Sequence, residues 1–169
     1  MIPQRLPGGV LLRRSSPSDA AAVQALVTRS DLESRYSRFH GAVRRLPSGY
    51  LLQLVDRPAL EHDTLVAEAD GRVVALADLG PVRDEPGVVE VGILVETPWR
   101  RRGLASTLLD ELGARAALRG ATVLRAVVLH EHLAEVKPLF AGRPVLRSWA
   151  ESGATGFDLA LAEPVRLPA

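Results

Sequence analysis

Helical spacing of apolar residues dominates the first third of the chain. Val23, Leu26 and Val27 share one face of a helix predicted over residues 17–29. A capping motif that begins at Ser16 marks the start of this helix. The next two predicted helices have N-caps of their own, Ser30 and Ser48.

From residue 63 the apolar residues alternate as in strands. Two such segments, residues 64–68 and 72–80, flank Asp70-Gly71. Both residue types tolerate the positive φ angles of a type I′ turn, which predicts a tight hairpin. A third alternating segment, VVEVGILV at residues 88–95, completes an antiparallel meander.

A helix, a strand and a hairpin follow the meander. Apolar residues from Leu104 to Ala116 form one face of a helix that ends near Gly120, and residues 121–129 are predicted to be a central strand. A strand, a helix and a strand in this order imply a parallel pair joined by a right-handed crossover. Ser152-Gly153 then predicts a closing hairpin. The fold class is α/β, with a mixed, mainly antiparallel sheet flanked by helices and a central parallel strand pair.

Composition and charge narrow the functional classes. The 169 residues carry a net charge of +1, with 47% hydrophobic and 24% charged residues, which is typical of a globular protein. We expect a single domain over residues 1–169. The sequence offers no apolar run long enough for a signal peptide or a membrane span, so we expect a cytoplasmic protein without membrane contact. Because cysteine is absent, thiol catalysis and thiolate metal sites are excluded.

Three arginines stand where the third meander strand passes into the helix. Residues 100–102 precede Gly103, and the amides of the first helical turn lack intrahelical acceptors beside a positive helix end. Gly103 lets a ligand approach the main chain, and Ala105 keeps a second position small. A solvated corner would explain the arginines and the glycine about equally well. The order of the surrounding elements favours a diphosphate site.

This segment resembles a known family. Residues 100–105, RRRGLA, match the [RQ]-x-x-G-x-[GA] motif of the GCN5-related N-acetyltransferases, and VETP ends the preceding strand as in that family. The resemblance implies a sheet of six to seven strands and an acyltransferase that uses acetyl-CoA. In the family the motif amides hold the pyrophosphate of acetyl-CoA and the strand pairs with its pantetheine arm. The implied cofactor-binding residues are Ile93, Leu94 and Val95 on the strand, and Arg100, Arg101, Arg102, Gly103, Leu104, Ala105 and Ser106 after it.

Other segments are similar to bacterial protein-lysine acetyltransferase domains. They are SRYSRF at residues 34–39, the glutamate of VEVGI, and VLHEHLAEVKPLF. By this resemblance the acceptor is an amine, and we expect a lysine side chain of a protein partner. Glu33, Arg35 and Arg38 would form a charged rim at the acceptor mouth, although ion pairs along the helix surface explain these residues almost as well.

Glu90 is the candidate general base. Strand alternation places it on the face shared with Gly92 and Leu94, where partial loss of water favours proton uptake. In the resembled family the matching glutamate deprotonates the attacking ammonium. The alternative role for Glu90 is an ion pair with an arginine on a neighbouring strand.

The segment after residue 129 departs from the family. Many members carry a tyrosine there that protonates the leaving thiolate, whereas Pro138 interrupts this helix and Phe140 has no proton to give. Tyr36 has helical spacing with Leu32 and Phe39, which predicts a place in the core. The missing tyrosine leaves a non-catalytic acyl-CoA-binding module as the alternative function.

Two other kinds of site are disfavoured. The HEH segment at residues 130–132 lacks the second histidine of a zinc signature, since Ala134 stands there, so we expect no metal. His132 replaces the asparagine usual in the family and is expected to face the cofactor or the solvent. A nucleic-acid site is also disfavoured, because the basic cluster is short and only 4% of the residues are aromatic.

Overall fold

The computed structural model describes residues 3–58 and 61–161. Within these residues eight strands form one sheet and five α-helices flank it. The strands are β1 (Gln4–Arg5), β2 (Leu11–Arg14), β3 (Asp63–Ala69), β4 (Arg72–Pro81), β5 (Val88–Val95), β6 (Val123–Leu129), β7 (Val145–Glu151) and β8 (Ala154–Ala160). The helices are α1 (Ala20–Arg29), α2 (Leu32–Phe39), α3 (Ser48–Asp56), α4 (Leu104–Leu118) and α5 (Leu133–Val136).

The sheet confirms the predicted class. Its strand order is β1-β2-β3-β4-β5-β6-β8-β7, with β5 and β6 parallel and the other neighbours antiparallel. The eighth strand is a correction to the expected six to seven. It is β1, whose two residues pair with β2 but are too few to show alternation in the sequence.

The hairpins and the first helix follow the predicted local signals. Asp70 and Gly71 have φ angles of 51° and 71°, as the turn between β3 and β4 requires. The Ser16 backbone amide donates to the Asp19 carboxylate at 2.8 Å, and a single 3₁₀ turn leads into α1. These short-range contacts fix the element ends where the sequence placed them.

The caps of α2 and α3 differ from the prediction by one residue. Asp31 caps α2, since its carboxylate accepts a hydrogen bond from the Ser34 amide at 2.7 Å. The Ser30 hydroxyl donates back to the Leu26 carbonyl oxygen of α1 at 2.9 Å. At α3 the N-cap is Pro47, and Ser48 is already helical. Ser30 and Asp31 can each cap a helix, so tertiary packing decides between them, whereas Pro47 makes no side-chain cap.

Two apolar cores lie on opposite faces of the sheet. The α4 helix packs on one face, together with Val89, Val91 and Ile93 of β5. The α1 and α3 helices cover the other face, where Leu94 of β5 is buried. Glu90 therefore projects on the face of α1 and α3, as the alternation predicts. None of the helices in the described ranges is long and apolar enough to cross a membrane.

Candidate active site

A gap opens in the middle of the sheet. The parallel strands β5 and β6 pair only through Val88–Glu90, which face residues 123–125. Past this point β5 stays paired to β4 as far as Val95, and β6 stays paired to β8 as far as Leu129. Because their partners on the outer sides persist, β5 and β6 separate from residue 91 onwards. One edge of β5 is thereby free to bond a ligand's amide groups.

The loop after β5 presents its backbone amides to the same gap. Arg101 and Gly103 have φ angles of 58° and 81°, and this left-handed backbone leads directly into α4. The first helical hydrogen bond runs from the Thr107 amide to the Gly103 carbonyl oxygen at 3.0 Å. Among the described residues, the amides of residues 101–106 have no hydrogen-bond acceptor. Such an array is suited to an anion.

Gly103 leaves the centre of this loop open. A Cβ atom on Gly103 would project into space with no heavy atom within 4 Å. An L-residue there would be strained by the positive φ angle, and its side chain would enter the space beside the free amides. The site therefore needs glycine both for its backbone conformation and for ligand access.

The three arginines of the loop do not act alike. The Arg100 side chain turns back to the Val95 carbonyl oxygen at 3.3 Å and to the Ser34 hydroxyl of α2. Arg102 lies over the Trp99 ring, 4.9 Å from its centroid. Arg101 is exposed. Arg100 thus joins the loop to α2, and Arg101 and Arg102 remain at the surface as counter-charges.

A single cleft of about 1350 Å³ joins the loop to Glu90. Its walls include the free edge of β5, the start of α4, and Ala126–Val128 of β6, as well as residues of α2, α3 and α5. Of the residues predicted from the sequence, the cleft is lined by Glu90, Ile93, Leu94, Val95, Arg100, Arg101, Gly103, Leu104, Ala105 and Ser106. Arg102 is the one predicted residue that does not line it, because its side chain is stacked on Trp99.

Glu90 is exposed in this cleft. The burial expected from its position between two valines is wrong, because its cross-strand neighbour Gly80 has no side chain to cover it. The predicted alternative was an arginine partner, and Arg125 does lie opposite Glu90 on β6. Arg125 instead bonds Asp158 at 2.8 Å and pairs with Glu85. Glu90 forms no ion pair with any described residue.

Three polar side chains, those of Arg38, His62 and Asp78, form a cluster beside Glu90. They lie on the face of the sheet that α1 and α3 cover. Asp78 of β4 is buried and contacts the Arg38 guanidinium through one oxygen. Its other oxygen lies 3.0 Å from Nε2 of His62. Burial acts to raise the pKa of Asp78, but the Arg38 charge and the His62 contact outweigh it and hold that pKa below its ordinary value.

Glycines make room for this cluster. A Cβ on Gly92 would collide with the Arg38 guanidinium, and a Cβ on Gly80 would lie 2.8 Å from Nδ1 of His62. Arg38 therefore does not contribute to a charged rim with Glu33. Arg35 is buried against the Ser30 carbonyl oxygen, so the rim predicted from these α2 residues is wrong.

The aromatic residues also differ from the prediction. Tyr36 is 46% exposed and so is not a core residue. Tyr50 of α3 lines the cleft and packs edge-on against Phe39, with ring centroids 6.5 Å apart. Pro138 does end the helix after β6, since α5 has four residues and gives way to a 3₁₀ turn, and Phe140 packs against Phe157.

His132 is buried, with 6% of its surface exposed, and does not line the cleft, so it takes neither the solvent-facing nor the cofactor-facing position that was expected. Its Nδ1 lies 3.7 Å from a Glu33 carboxylate oxygen of α2, and its Nε2 lies 3.6 Å from Glu131. Within the described part of the chain, no three histidine or carboxylate side chains converge as a metal site.

Sequence reasoning missed His62, Asp78 and Tyr50 as cleft residues. His62 precedes β3 and Asp78 lies within β4, so only the register of these strands brings them together. One signal was available, because Asp78 interrupts the apolar run of β4 and a buried carboxylate requires a partner.

A sheet divided between two parallel strands, with a free amide loop opening a helix at the gap, defines an acyl-CoA-binding type of enzyme fold. The chain belongs to the acetyltransferase (GNAT) family, whose model matches residues 29–137. It is therefore an acyltransferase by family. No curated protein sequence matches the chain at a significant level.

Solved structures share the whole fold. The GNAT domain of PAT from S. lividans is 25% identical with a TM-score of 0.82, and the match covers 94% of this chain and 96% of that one. A Salmonella typhimurium protein with its cofactor acetyl-CoA is 23% identical with a TM-score of 0.68, covering 95% and 98%. Ribosomal-protein-alanine N-acetyltransferase from Brucella melitensis is also 23% identical with a TM-score of 0.68, covering 88% and 97%.

Proposed function

We propose that this chain transfers the acetyl group of acetyl-CoA to a primary amine, with Glu90 as general base and a protein lysine side chain as acceptor. The observation that carries the proposal is the continuity of one cleft. The free edge of β5 leads to the unpaired amides of residues 101–106, and the same cleft contains the Glu90 carboxylate.

The loop and the strand edge fit the two polar parts of acetyl-CoA. The amides of residues 101–106 can donate to a diphosphate at the start of α4, where the helix end also favours negative charge. Arg101 and Arg102 supply exposed counter-charges. Ile93, Leu94 and Val95 offer the backbone edge that pairs with amide groups of the pantetheine arm. When bound, acetyl-CoA supplies a thioester carbon that an amine can attack.

Glu90 is suited to prepare the attacking amine. A lysine ammonium must lose a proton before its nitrogen can attack, and the Glu90 carboxylate is open to the cleft and forms no ion pair with a described residue. It can take the proton directly or through a water molecule. The leaving thiolate needs no acid from the chain, because a thiolate is only a weak base. This removes the main argument for a non-catalytic acyl-CoA-binding module.

A lysine of a protein partner fits the open form of the cleft. The S. lividans relative, at 25% identity, is the GNAT domain of PAT. On the Glu90 side the cleft is bordered by the exposed residues Tyr50, Arg57 and Arg83, so a long side chain can enter from a macromolecular surface. Both arginines and glutamates line this side of the cleft, which disfavours an acceptor of strong single-sign charge.

The acceptor is tested by acetylation of a host lysate. Lysate proteins are incubated with acetyl-CoA and either the native enzyme or Glu90→Gln, and new acetyl-lysine sites are identified by mass spectrometry. We expect sites that appear with the native enzyme and not with Glu90→Gln. A screen of polyamines and amino acids runs in parallel, with CoA release as the signal.

Three outcomes separate the parts of the proposal. Rapid turnover of a small amine without new lysine sites would eliminate the protein acceptor and leave acetyl transfer intact. Acetyl-CoA binding without turnover of any amine would favour the non-catalytic module. Equal numbers of sites with the native enzyme and Glu90→Gln would remove Glu90 as the base.

A further inference from the structure

His62 occupies a defined place beside the proposed base. It precedes β3, and its imidazole lies against Gly80, whose missing Cβ would stand 2.8 Å from Nδ1 and 3.4 Å from Cε1. Gly80 is the register partner of Glu90 across β4 and β5. Directly opposed residues of antiparallel strands have Cα atoms about 5 Å apart. The imidazole and the Glu90 carboxylate therefore border the same part of the cleft, which both residues line.

Asp78 holds the other side of the imidazole. Its Oδ2 lies 3.0 Å from Nε2 of His62, in an electrostatic contact without the geometry of a straight hydrogen bond. Asp78 is buried and its second oxygen contacts the Arg38 guanidinium. A carboxylate in this position orients a histidine ring and stabilises the positive charge that the ring gains with a proton. In this arrangement Nδ1 of the ring faces Gly80 of β4, next to Glu90.

The chemistry of amide formation requires more than one proton transfer. An ammonium nitrogen carries three hydrogens and the nitrogen of the product amide carries one, so the nitrogen gives up two protons. It forms a bond to the acetyl carbon while the carbon–sulfur bond breaks, and the electron pair of that bond leaves on sulfur. The thiolate takes up one proton, and one proton is released overall. A single carboxylate accepts only one of the two protons.

From this juxtaposition we infer that His62, oriented by Asp78, is the second proton acceptor of the amine site. The inference rests on the proposed acetyl transfer. Glu90 takes the proton that must leave before attack, and His62 takes the one released as the amide forms, directly or through water. The imidazolium and the protonated Glu90 then return their protons to water along the open cleft, and the thiolate takes up one of the two from water, so that one proton is released overall.

Other charged and titratable groups also border this part of the cleft. They come from α2, α3, the segment before β3, the β4–β5 connection and β5, and any pH dependence includes them. They are Arg38, His40, Tyr50, Arg57, Glu61, Arg83 and Glu90. Arg57 and Glu61 lie within 4.0 Å of each other and partly offset each other's charge. Histidine is the type among them that ordinarily titrates near neutral pH.

The test compares three variants with the native enzyme. His62→Gln removes the proton-accepting ring and retains a polar side chain, and His62→Ala leaves space for an added imidazole molecule. His130→Asn is the matched control, because His130 is an exposed histidine that does not line the cleft. Acetyl-CoA affinity is measured by calorimetry, and kcat and KM are measured from pH 5 to 9.

We expect His62→Gln to bind acetyl-CoA as the native enzyme does and to lose about 10²-fold in kcat, the lower end of the effect of a general base. One ionisation should disappear from the pH profile of kcat/KM. Added imidazole should restore part of the activity of His62→Ala and none of the activity of Glu90→Gln. His130→Asn should retain the native profile.

The test distinguishes a failure of the proposed His62 role from a failure of the proposed acetyl transfer. A native pH profile in His62→Gln, a loss confined to KM, or no response of His62→Ala to imidazole would overturn the role of His62 and leave the acetyltransferase proposal standing. A native enzyme that binds acetyl-CoA but acetylates no amine would overturn both. Thermal unfolding of each variant separates these results from misfolding, and His62→Asn replaces any variant that does not fold.

Discussion

Asp63 shows how single charged residues hold the fold together. It is the first residue of β3 and is fully buried. Arg115 of α4 donates to it at 2.8 and 3.0 Å, and Arg119 donates at 2.9 Å. Burial acts to raise the pKa of Asp63, but these arginines outweigh it and lower the pKa. The carboxylate thereby links the C-terminal end of α4 to the first residue of β3.

Asp63→Asn should destabilise the protein by about 3 kcal/mol. This is the lower end of the range for removing one partner of a buried ion pair, because both arginines are partly exposed and can recover water. Urea denaturation measures the change. Asp56→Asn, an exposed change at the end of α3, is the control and should alter stability by less than about 0.5 kcal/mol. Equal stability of the two variants would contradict the role given to Asp63.

At the scale of elements, local signals were predictable and non-local packing was not. The β3–β4 turn and the glycine at the start of α4 depend on a few adjacent residues with unusual φ angles. Tyr36 and Leu32 have helical spacing but are exposed, because α1 and α3 already cover that face of the sheet and α2 buries Ser34 and Arg35 instead. Periodicity identifies an apolar stripe, whereas competing helices decide which stripe is buried.

The same limit applies to the candidate site. Glu90 and the loop at residues 100–106 lie within one continuous segment, so strand alternation, the strand–loop–helix order and the resemblance of this segment to the family were enough to propose them. His62 joins them only through the register of β3, β4 and β5. The exposure of Glu90 depends on Gly80 in the neighbouring strand. Neither feature has a local sequence signal.

Gly103→Glu tests the start of α4 as the diphosphate site. A carboxylate in the open space at Gly103 would repel a diphosphate by several kcal/mol, so acetyl-CoA affinity measured by calorimetry should fall by about 100-fold or more.

Gly120→Glu is the matched control for this variant. Gly120 also has a positive φ angle, 91°, and open space around it, but it follows the far end of α4, about 22 Å away for a helix of 15 residues. It carries the same backbone strain and the same added charge. Equal affinities of the two folded variants would contradict the assignment of the diphosphate to residues 101–106.

For the whole molecule, ionised carboxylates link stability to pH. Hydrogen bonds from arginines, or from the Ser34 and Thr97 hydroxyls at Asp31, hold several carboxyl pKa values below their ordinary range. At Asp63 and Asp78 the arginines act against burial, with the same net direction. The carboxyl groups with lowered pKa are Asp19, Asp31, Asp63, Asp78, Glu85 and Asp158.

A lowered pKa in the folded state stabilises the protein above the pKa of the unfolded chain, about 4 for these groups. That stability is lost as the pH falls through the folded-state values. We therefore expect Tm to be nearly constant between pH 5 and 7 and to fall steadily below about pH 5. Thermal unfolding across this range measures the effect. A Tm that stays constant or rises down to pH 3 would contradict the account.

The central claim is that one cleft binds acetyl-CoA at the start of α4 and carries out acetyl transfer at Glu90. The most direct measurement is a comparison of native enzyme and Glu90→Gln for acetyl-CoA affinity by calorimetry and for CoA release with an accepted amine. The matched control is Glu111→Gln on α4, outside the cleft. The account predicts equal affinities in all three proteins and a turnover that falls by about 10²–10⁴-fold at neutral pH only in Glu90→Gln. Turnover by Glu90→Gln at the native rate, or no binding of acetyl-CoA by the native enzyme, would contradict it.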